Sequence, residues 1–292
     1  MDFPRILVLG ATGRIGSILR RVWPAGQGLW QARPGRPVPG AAADWLWLDP
    51  LADAAALAGA AGRAQAILCL AGVTPTTIEA AGSGAAMADN VALAQAAVRA
   101  GAAAGVPVLL ASSAAVYGAQ AGLLSEATAP APVSDYGRAK AGMERRAAGL
   151  AAELGVAVTA LRIGNVAGAD AILGRWQEGF QLDRFADGRT PRRSYIGPAT
   201  LARVLAALCA RAVARGDLPE LLNIAAPGTV EMGALLDAAG LAWAARPAPD
   251  SAIPEVALDV TALCGLVALD PAAGRAENLV AEWRDMAQKP GS

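Results

Sequence analysis

The sequence predicts an α/β fold, a doubly wound parallel sheet followed by a smaller, mostly C-terminal part. Three observations carry this. Short apolar runs alternate with helical stretches from the start of the chain to about residue 165. A glycine-spaced loop, Gly10-Ala11-Thr12-Gly13-Arg14-Ile15-Gly16, follows the first apolar run directly. After Gly164 the alternation breaks, and residues 167–193 show no regular rhythm.

Taken in order, Arg5–Leu9 reads as a buried strand, and Ser17–Trp23 as the helix after the glycine loop. Leu29–Ala32 and Trp45–Leu48 are the next strands, the latter ending at Asp49. Leu51–Ala61 is helical, because its alanines are strong helix formers. Ala66–Leu70 is a strand ending in Ala71-Gly72, and Ala85–Ala104 is a long helix. Val106–Ala111, closed by Ser112-Ser113, is a strand; Asp135–Leu154 is a helix and Val156–Arg162 a strand. Such strands, apolar throughout, suit a parallel sheet covered by helices on both faces. Beyond it, Thr200–Val213 and Val230–Ala239 read as helices and Leu221–Ile224 as a strand. The expected division is 1–165 and 166–292, with residues near 195–225 returning to the first sheet.

Composition excludes whole classes of chemistry. The 292 residues carry 25 basic and 25 acidic side chains and no histidine. A Ser-His-Asp triad, a Cys-His pair and a histidine-ligated zinc are therefore impossible, and no metal site is expected. Balanced charge argues against a nucleic-acid surface or a polybasic membrane patch. No run of about 18 uncharged apolar residues marks a membrane span, and the N-terminus lacks a signal-peptide pattern. A cytoplasmic location is expected. Cys69, Cys209 and Cys264 lie far apart and read as buried free thiols. Among the seven tryptophans, Trp23, Trp45 and Trp47 read as packing residues and Trp176 as a candidate pocket wall.

The strand–glycine loop–helix order is a dinucleotide fingerprint, and the sheet is then of the Rossmann type. Gly10 permits the tight turn, Gly13 lets the backbone approach a pyrophosphate, and Gly16 lets the helix pack closely. An NAD site usually carries an acidic residue at the end of the second strand. None occurs between Gly16 and Ala43; Arg33 and Arg36 stand there instead, with Arg14 in the loop. A guanidinium suits a 2′-phosphate, so NADP is favoured over NAD.

Tyr136 and Lys140 share one face of a helix. Lys140 is one of two lysines in a chain that otherwise uses arginine. An ammonium beside a phenol lowers the phenol pKa toward neutrality. Tyr136 is thus the candidate acid/base in a protein without histidine. Ser112-Ser113 closes the preceding strand at the carboxyl edge of the sheet, where ligands of such folds bind.

Together these motifs resemble the extended short-chain dehydrogenase/reductase family of NAD(P)-dependent epimerases, dehydratases and reductases. The matching pieces are GATGRIG at 10–16, SSAAVYG at 112–118, SEATAPAPVSDYGRAKAGME at 125–144 and LRIGNVAG at 161–168, followed by DGRTPRRSYIG at 187–197, LLNIAAPGTVEMGAL at 221–235 and LDVTALCGLVALDP at 258–271. The resemblance implies Tyr136 as acid/base, Lys140 as its activator and ribose ligand, and Ser113 as the third catalytic group. It places the cofactor against Gly10, Thr12, Gly13, Arg14, Ile15 and Gly16, Asp49 at adenine, Ala71 and Gly72 along the ribose, and Asn90 in support. It places substrate near Ser113 and Asn165, and a diphosphate at Arg193 and Arg246. It implies a homodimer formed through the helices at 85–104 and 135–154. Three departures stand out: no acid after the second strand, Gly197-Pro198-Ala199-Thr200 where Val-Asp-Asp is expected, and Cys264-Gly265-Leu266 in place of Leu-Gly-Trp.

The expected function is hydride transfer between nicotinamide and a carbonyl or alcohol of a small molecule. The alternative is a nucleotide-sugar epimerase or dehydratase that retains its cofactor. A non-catalytic cofactor sensor is a third option, disfavoured because Tyr136 and Lys140 are both present.

Overall fold

The computed structural model of the chain describes residues 3–38, 44–74 and 86–288. Seven parallel strands form the central sheet: β1 (Ile6–Leu9), β2 (Gly28–Ala32), β3 (Trp45–Trp47), β4 (Ala66–Cys69), β5 (Val108–Ser113), β7 (Val158–Ile163) and β12 (Leu221–Ile224). Their order is β3-β2-β1-β4-β5-β7-β12. The order reverses between β1 and β4, so a crevice opens at their carboxyl ends.

Helices cover both faces. One face carries α1 (Arg14–Val22), α5 (Pro198–Arg215) and α8 (Ala276–Gln288). The other carries α2 (Ala54–Ala61), α3 (Asp89–Ala104) and α4 (Asp135–Leu154). Because both faces are covered, β1 and β4 are buried at every residue, which is why they read as unbroken apolar runs. Ile6 and Val8 pack toward α5, whereas Leu7 and Leu9 pack toward α2 and α3.

The remaining strands are short. β6 (Leu123–Leu124), β15 (Glu255–Leu258), β10 (Arg192–Arg193) and β13 (Val230–Glu231) form a four-stranded sheet. β8 (Asn165–Val166) pairs with β11 (Tyr195–Ile196), and β9 (Gln181–Arg184) with β14 (Ala244–Pro247). Strands β9, β11 and β13 with α6 (Met232–Ala238) and α8 enclose a second core of Ile172, Leu173, Leu182, Tyr195, Leu235 and Leu279. Trp176 packs there and donates its indole N–H to the Ala242 carbonyl at 2.9 Å. α7 (Thr261–Leu266) completes the set.

Several boundaries differ from the sequence reading for identifiable reasons. Helix α1 starts at Arg14, inside the Gly10–Gly16 motif, because Gly13 is already its extended N-cap. Helix α2 starts at Ala54, not Leu51. The Asp49 carboxylate holds the Leu51 N–H in a turn at 2.9 Å, and Asp53 caps the helix through the Ala56 N–H at 2.8 Å. The expected helix from Ala85 begins at Asp89, and Ala85 lies outside the described residues. Trp47 is 45% exposed, not packed, because it lies on the edge strand β3. Cys69 and Cys209 are buried, but Cys264 on α7 is exposed.

The departure at 197–200 has a structural counterpart. Gly197 supplies no side-chain cap to α5. Glu282 of α8 does so instead, accepting the Thr200 N–H at 2.8 Å and the Thr200 hydroxyl. A carboxylate at a helix N-terminus meets its unpaired N–H groups and its positive dipole end. The acid absent locally arrives from 82 residues away.

Candidate active site

The glycine loop lies at the carboxyl end of β1. Gly10 has φ +76°, and a Cβ there would sit 2.6 Å from the Ala71 nitrogen. Glycine is required on both counts. The loop therefore lies directly against the Ala71-Gly72 turn that ends β4. A Cβ on Gly72 would in turn meet Asn90 Oδ1 at 2.8 Å and Lys140 Nζ at 3.1 Å. Asn90, buried on α3, accepts the Val73 N–H at 3.2 Å and donates to the Val73 carbonyl at 3.0 Å. Its structural task is to pin this turn.

At the mouth of α1 the Gly13 N–H turns back to the Gly10 carbonyl at 3.0 Å, and no side chain caps the helix. The first helical N–H groups are left to an anion. Thr12 is half-buried and Ile15 packs against the core, while Arg14 reaches across to the Ala169 carbonyl at 2.8 Å. Arg33 and Arg36 are exposed in the segment after Ala32, which is itself buried.

Strand β5 and helix α4 bring the candidate catalytic residues together. Ser113, the last residue of β5, accepts the Ala115 N–H at 3.2 Å and lies beside the Tyr136 phenol, whose pKa it draws down. Ser112, one residue earlier, faces elsewhere and donates to Glu144 Oε1 at 2.5 Å. Strand alternation thus separates the two serines. Lys140 Nζ lies 5.8 Å from the Tyr136 ring centroid and donates to the Ala111 carbonyl at 2.8 Å.

The expected lowering of the tyrosine pKa is not what the structure shows. Burial raises the Tyr136 phenol above its ordinary value, and Ser113 beside it offsets this only in part. The ammonium is committed to the Ala111 carbonyl and lies over the ring rather than at the hydroxyl. Burial also lowers Lys140 from 10.5 to about 8, against the opposing influence of Cys69 and Glu144. Cys69 is pushed up to about 11 by burial, so it is a neutral thiol near pH 7.

The Lys140 shift has a stability consequence. Its folded pKa lies below its unfolded value, so the cost of burying the ammonium is fully present below pH 8 and is relieved as pH rises from about 8 to 10.5. At 1.36 kcal/mol per pKa unit, that cost is on the order of 3 kcal/mol. Lys140→Met is expected to stabilise the cofactor-free protein by roughly 1–3 kcal/mol at pH 7. Urea unfolding checks this; a destabilised variant would mean the Ala111 hydrogen bond outweighs the charge burial.

Toward the second core, Asn165 is half-buried and lies opposite Tyr195 in the β8–β11 pair. The Tyr195 hydroxyl donates to Asp170 Oδ2 at 2.7 Å. Arg193 donates to the carbonyls of Arg192 and Ile253 at 2.7 and 2.8 Å, and Arg246 pairs with Asp183 at 2.6 Å. Both guanidiniums implied for a diphosphate are thus engaged by the chain itself, on different small sheets. An apolar trough of about 660 Å³ between α4 and strands β7 and β12 is lined by Ala147, Ala151, Val158 and Leu221 and by none of the site residues.

Sequence reasoning missed buried polar groups within largely apolar strands. Gln31 in β2 is 3% exposed, Arg162 in β7 is 1% exposed and Asn223 in β12 is 0% exposed. Arg162 donates to Glu144 Oε2 at 2.8 Å and to the Tyr117 hydroxyl at 2.9 Å. The visible signal was the polar residue within an apolar run, together with Glu144 at the next i,i+4 step beyond Tyr136 and Lys140.

The glycine loop at the sheet crevice and the grouping of Ser113, Tyr136 and Lys140 beside it are what a nicotinamide-dependent enzyme requires. The profile of the NAD dependent epimerase/dehydratase family matches residues 6–224, and the chain belongs to that family. No curated protein matches the sequence. Solved structures similar to it include MoeE5 in complex with UDP-glucuronic acid and NAD, at 23% identity and TM-score 0.74, covering 97% of this chain and 99% of that one. UDP-glucose-4-epimerase from Stenotrophomonas maltophila with NAD and formylated UDP-arabinopyranose is similar at 18% identity and TM-score 0.78, covering 98% and 99%. DesIV, a dTDP-glucose 4,6-dehydratase from Streptomyces venezuelae with NAD and TYD bound, is similar at 22% identity and TM-score 0.74, covering 98% of each chain. At these identities the likeness shows the fold. Among the described residues no helix is long and apolar enough to cross a membrane.

Proposed function

We propose that this protein is an NAD(P)-dependent oxidoreductase that moves a hydride between nicotinamide and a carbonyl or alcohol carbon, with Tyr136 as the acid/base. The observation that carries this is the grouping of Ser113, Tyr136 and Lys140 at the edge where the glycine loop meets the Ala71-Gly72 turn. The cradle fits the cofactor: Gly10 packs on Ala71, and α1 has no side-chain cap. When bound, the nicotinamide supplies or accepts the hydride. Tyr136, a protonated phenol in the free protein, gives its proton to the carbonyl oxygen as the carbon is reduced, and takes it back in the reverse direction. Ser113 hydrogen-bonds the same oxygen. Lys140 offsets the charge that develops on the tyrosine oxygen. Residues 1–165 hold the cofactor in this reading, and residues 166–292 mostly shape the substrate site.

NADP is the preferred cofactor in this proposal. Supporting it, no acidic residue follows β2, and Arg33 and Arg36 stand exposed where a 2′-phosphate would lie. Arg14 is held by Ala169, so Arg33 is the first choice. Calorimetric titration of dialysed protein is expected to show at least a ~10-fold preference for NADPH over NADH, about 1.4 kcal/mol. Arg33→Ala should remove most of that preference without weakening NADH. A wild type that prefers NADH would overturn the assignment; one that binds neither would overturn the function.

A second reading is a nucleotide-sugar epimerase or dehydratase with a retained NAD, in line with the ligands of the similar structures. The engagement of Arg193 and Arg246 by the chain's own atoms weighs against it. Dinucleotide that copurifies with the protein would favour it. The adjacent helices α3 and α4, with half-buried Ala92, Ala96, Ala139 and Gly142 between their exposed arginines, support a homodimer, which sedimentation would test.

A further inference from the structure

We infer that Gln31 is a cofactor-positioning residue, whose buried carboxamide holds the phosphate loop and the adenosine-facing turn at a set separation. The inference rests on the dinucleotide reading above.

Gln31 is the polar residue in β2, a strand buried at all five positions. Its Oε1 accepts the Gly10 N–H at 2.8 Å, and its Nε2 donates to the Leu48 carbonyl at 2.8 Å. Its own carbonyl accepts the Ala11 N–H at 3.3 Å. Gly10 opens the glycine loop, and Leu48 directly precedes Asp49. One side chain therefore spans from the end of β1 to the end of β3, across the floor on which a bound dinucleotide would lie.

The chemistry allows one orientation. The Gly10 N–H can only donate and the Leu48 carbonyl can only accept, so the oxygen and nitrogen of the amide are assigned without ambiguity. Leucine supplies neither partner, glutamate lacks the donor, and asparagine is one methylene too short to keep both contacts. The bond to Gly10 also turns that N–H away from the ligand. The Ala11 and Gly13 N–H groups are likewise used within the protein. The anion is left to the N–H groups at the start of α1, whose position depends on a loop that Gln31 ties in place. A buried amide with both ends satisfied gives such a loop a single arrangement, because leaving either partner unpaired in the interior is costly.

Titration of Gln31→Leu and Gln31→Glu with NADPH and with NADH tests this, at a temperature where circular dichroism shows each variant folded. Gln31→Leu is expected to bind both cofactors about tenfold more weakly. Gln31→Glu, which keeps an acceptor for Gly10, should fall between it and the wild type. Loss of both affinities together separates this effect from that of Arg33→Ala, which concerns NADPH alone. Folded variants that bind both cofactors within about twofold of wild type would overturn the inference and leave Gln31 a stability residue. If Gln31→Leu does not fold, Gln31→Glu decides by the same criterion. A wild type that binds no dinucleotide would instead overturn the function on which the inference rests.

Discussion

Tyr136→Phe is expected to lower turnover by 10²–10⁴-fold, the usual contribution of a positioned acid/base, while dinucleotide affinity stays close to wild type. The substitution removes one oxygen from a half-buried ring and leaves Ser113 and Lys140 in place. The pH dependence has a definite sign. The Tyr136 phenol is raised by burial, so it is protonated at neutral pH in the free protein. Carbonyl reduction needs that proton, so its rate should hold through neutral pH and fall only at alkaline pH. Alcohol oxidation needs the phenolate and should rise with pH over the same range. Both directions are measured by nicotinamide absorbance with a carbonyl–alcohol pair. Wild-type turnover in the variant, or an oxidation rate that falls as pH rises, would remove Tyr136 from the proton transfer.

The largest stability loss is expected at the buried ion pair. Arg162 donates through Nη2 and Nε to Glu144, and Ser112 donates to the same carboxylate. Both charged side chains are nearly inaccessible, at 2% and 6%. Removing one partner strands the other in the interior. Arg162→Met is expected to cost ~3–5 kcal/mol, or about 10 °C in the unfolding midpoint for a chain of this size. Adding Glu144→Leu to it should recover part of that loss, since the unpaired carboxylate is then gone. Urea unfolding of the two variants decides. A single variant within about 1 kcal/mol of wild type, or a double variant worse than the single, would refute this account.

The pair also connects the two parts of the molecule. Arg162 Nη1 reaches the Tyr117 hydroxyl and the Glu126 carbonyl, and Tyr117 contacts Asn223 Oδ1 at 2.8 Å. Asn223 Nδ2 donates to the carbonyls of Leu124 and Asp259. Ser112 and Glu144 stand next to Ser113 and one turn beyond Lys140. The network therefore braces the candidate catalytic residues and the four-stranded sheet together, and the motifs around Tyr117, Arg162 and Asn223 are parts of one object.

Much of the fold was legible in the sequence. Apolar runs of strand length and helical stretches between them depend on local periodicity, and their order alone implies a parallel sheet with covered faces. The glycine loop was legible because its glycines answer to backbone constraints within a few residues. Tyr136 and Lys140 were legible because a four-residue step on a helix puts two side chains on one face. The acid-free end of β2 needed no structure at all.

What the tertiary structure decided was everything that depends on distant neighbours. That Ser112 turns instead to Glu144 depends on how α4 docks on β5. The phenol is raised rather than lowered because burial, the sum of all surrounding elements, outweighs the opposing influence of Ser113. Gln31 finds Gly10 and Leu48 on two other strands, and Glu282 replaces a missing cap from the far end of the chain. Periodicity is a local property and is written in consecutive residues. Desolvation and the pairing of buried polar groups are set by segments tens of residues apart, and exist only once the chain has closed around them.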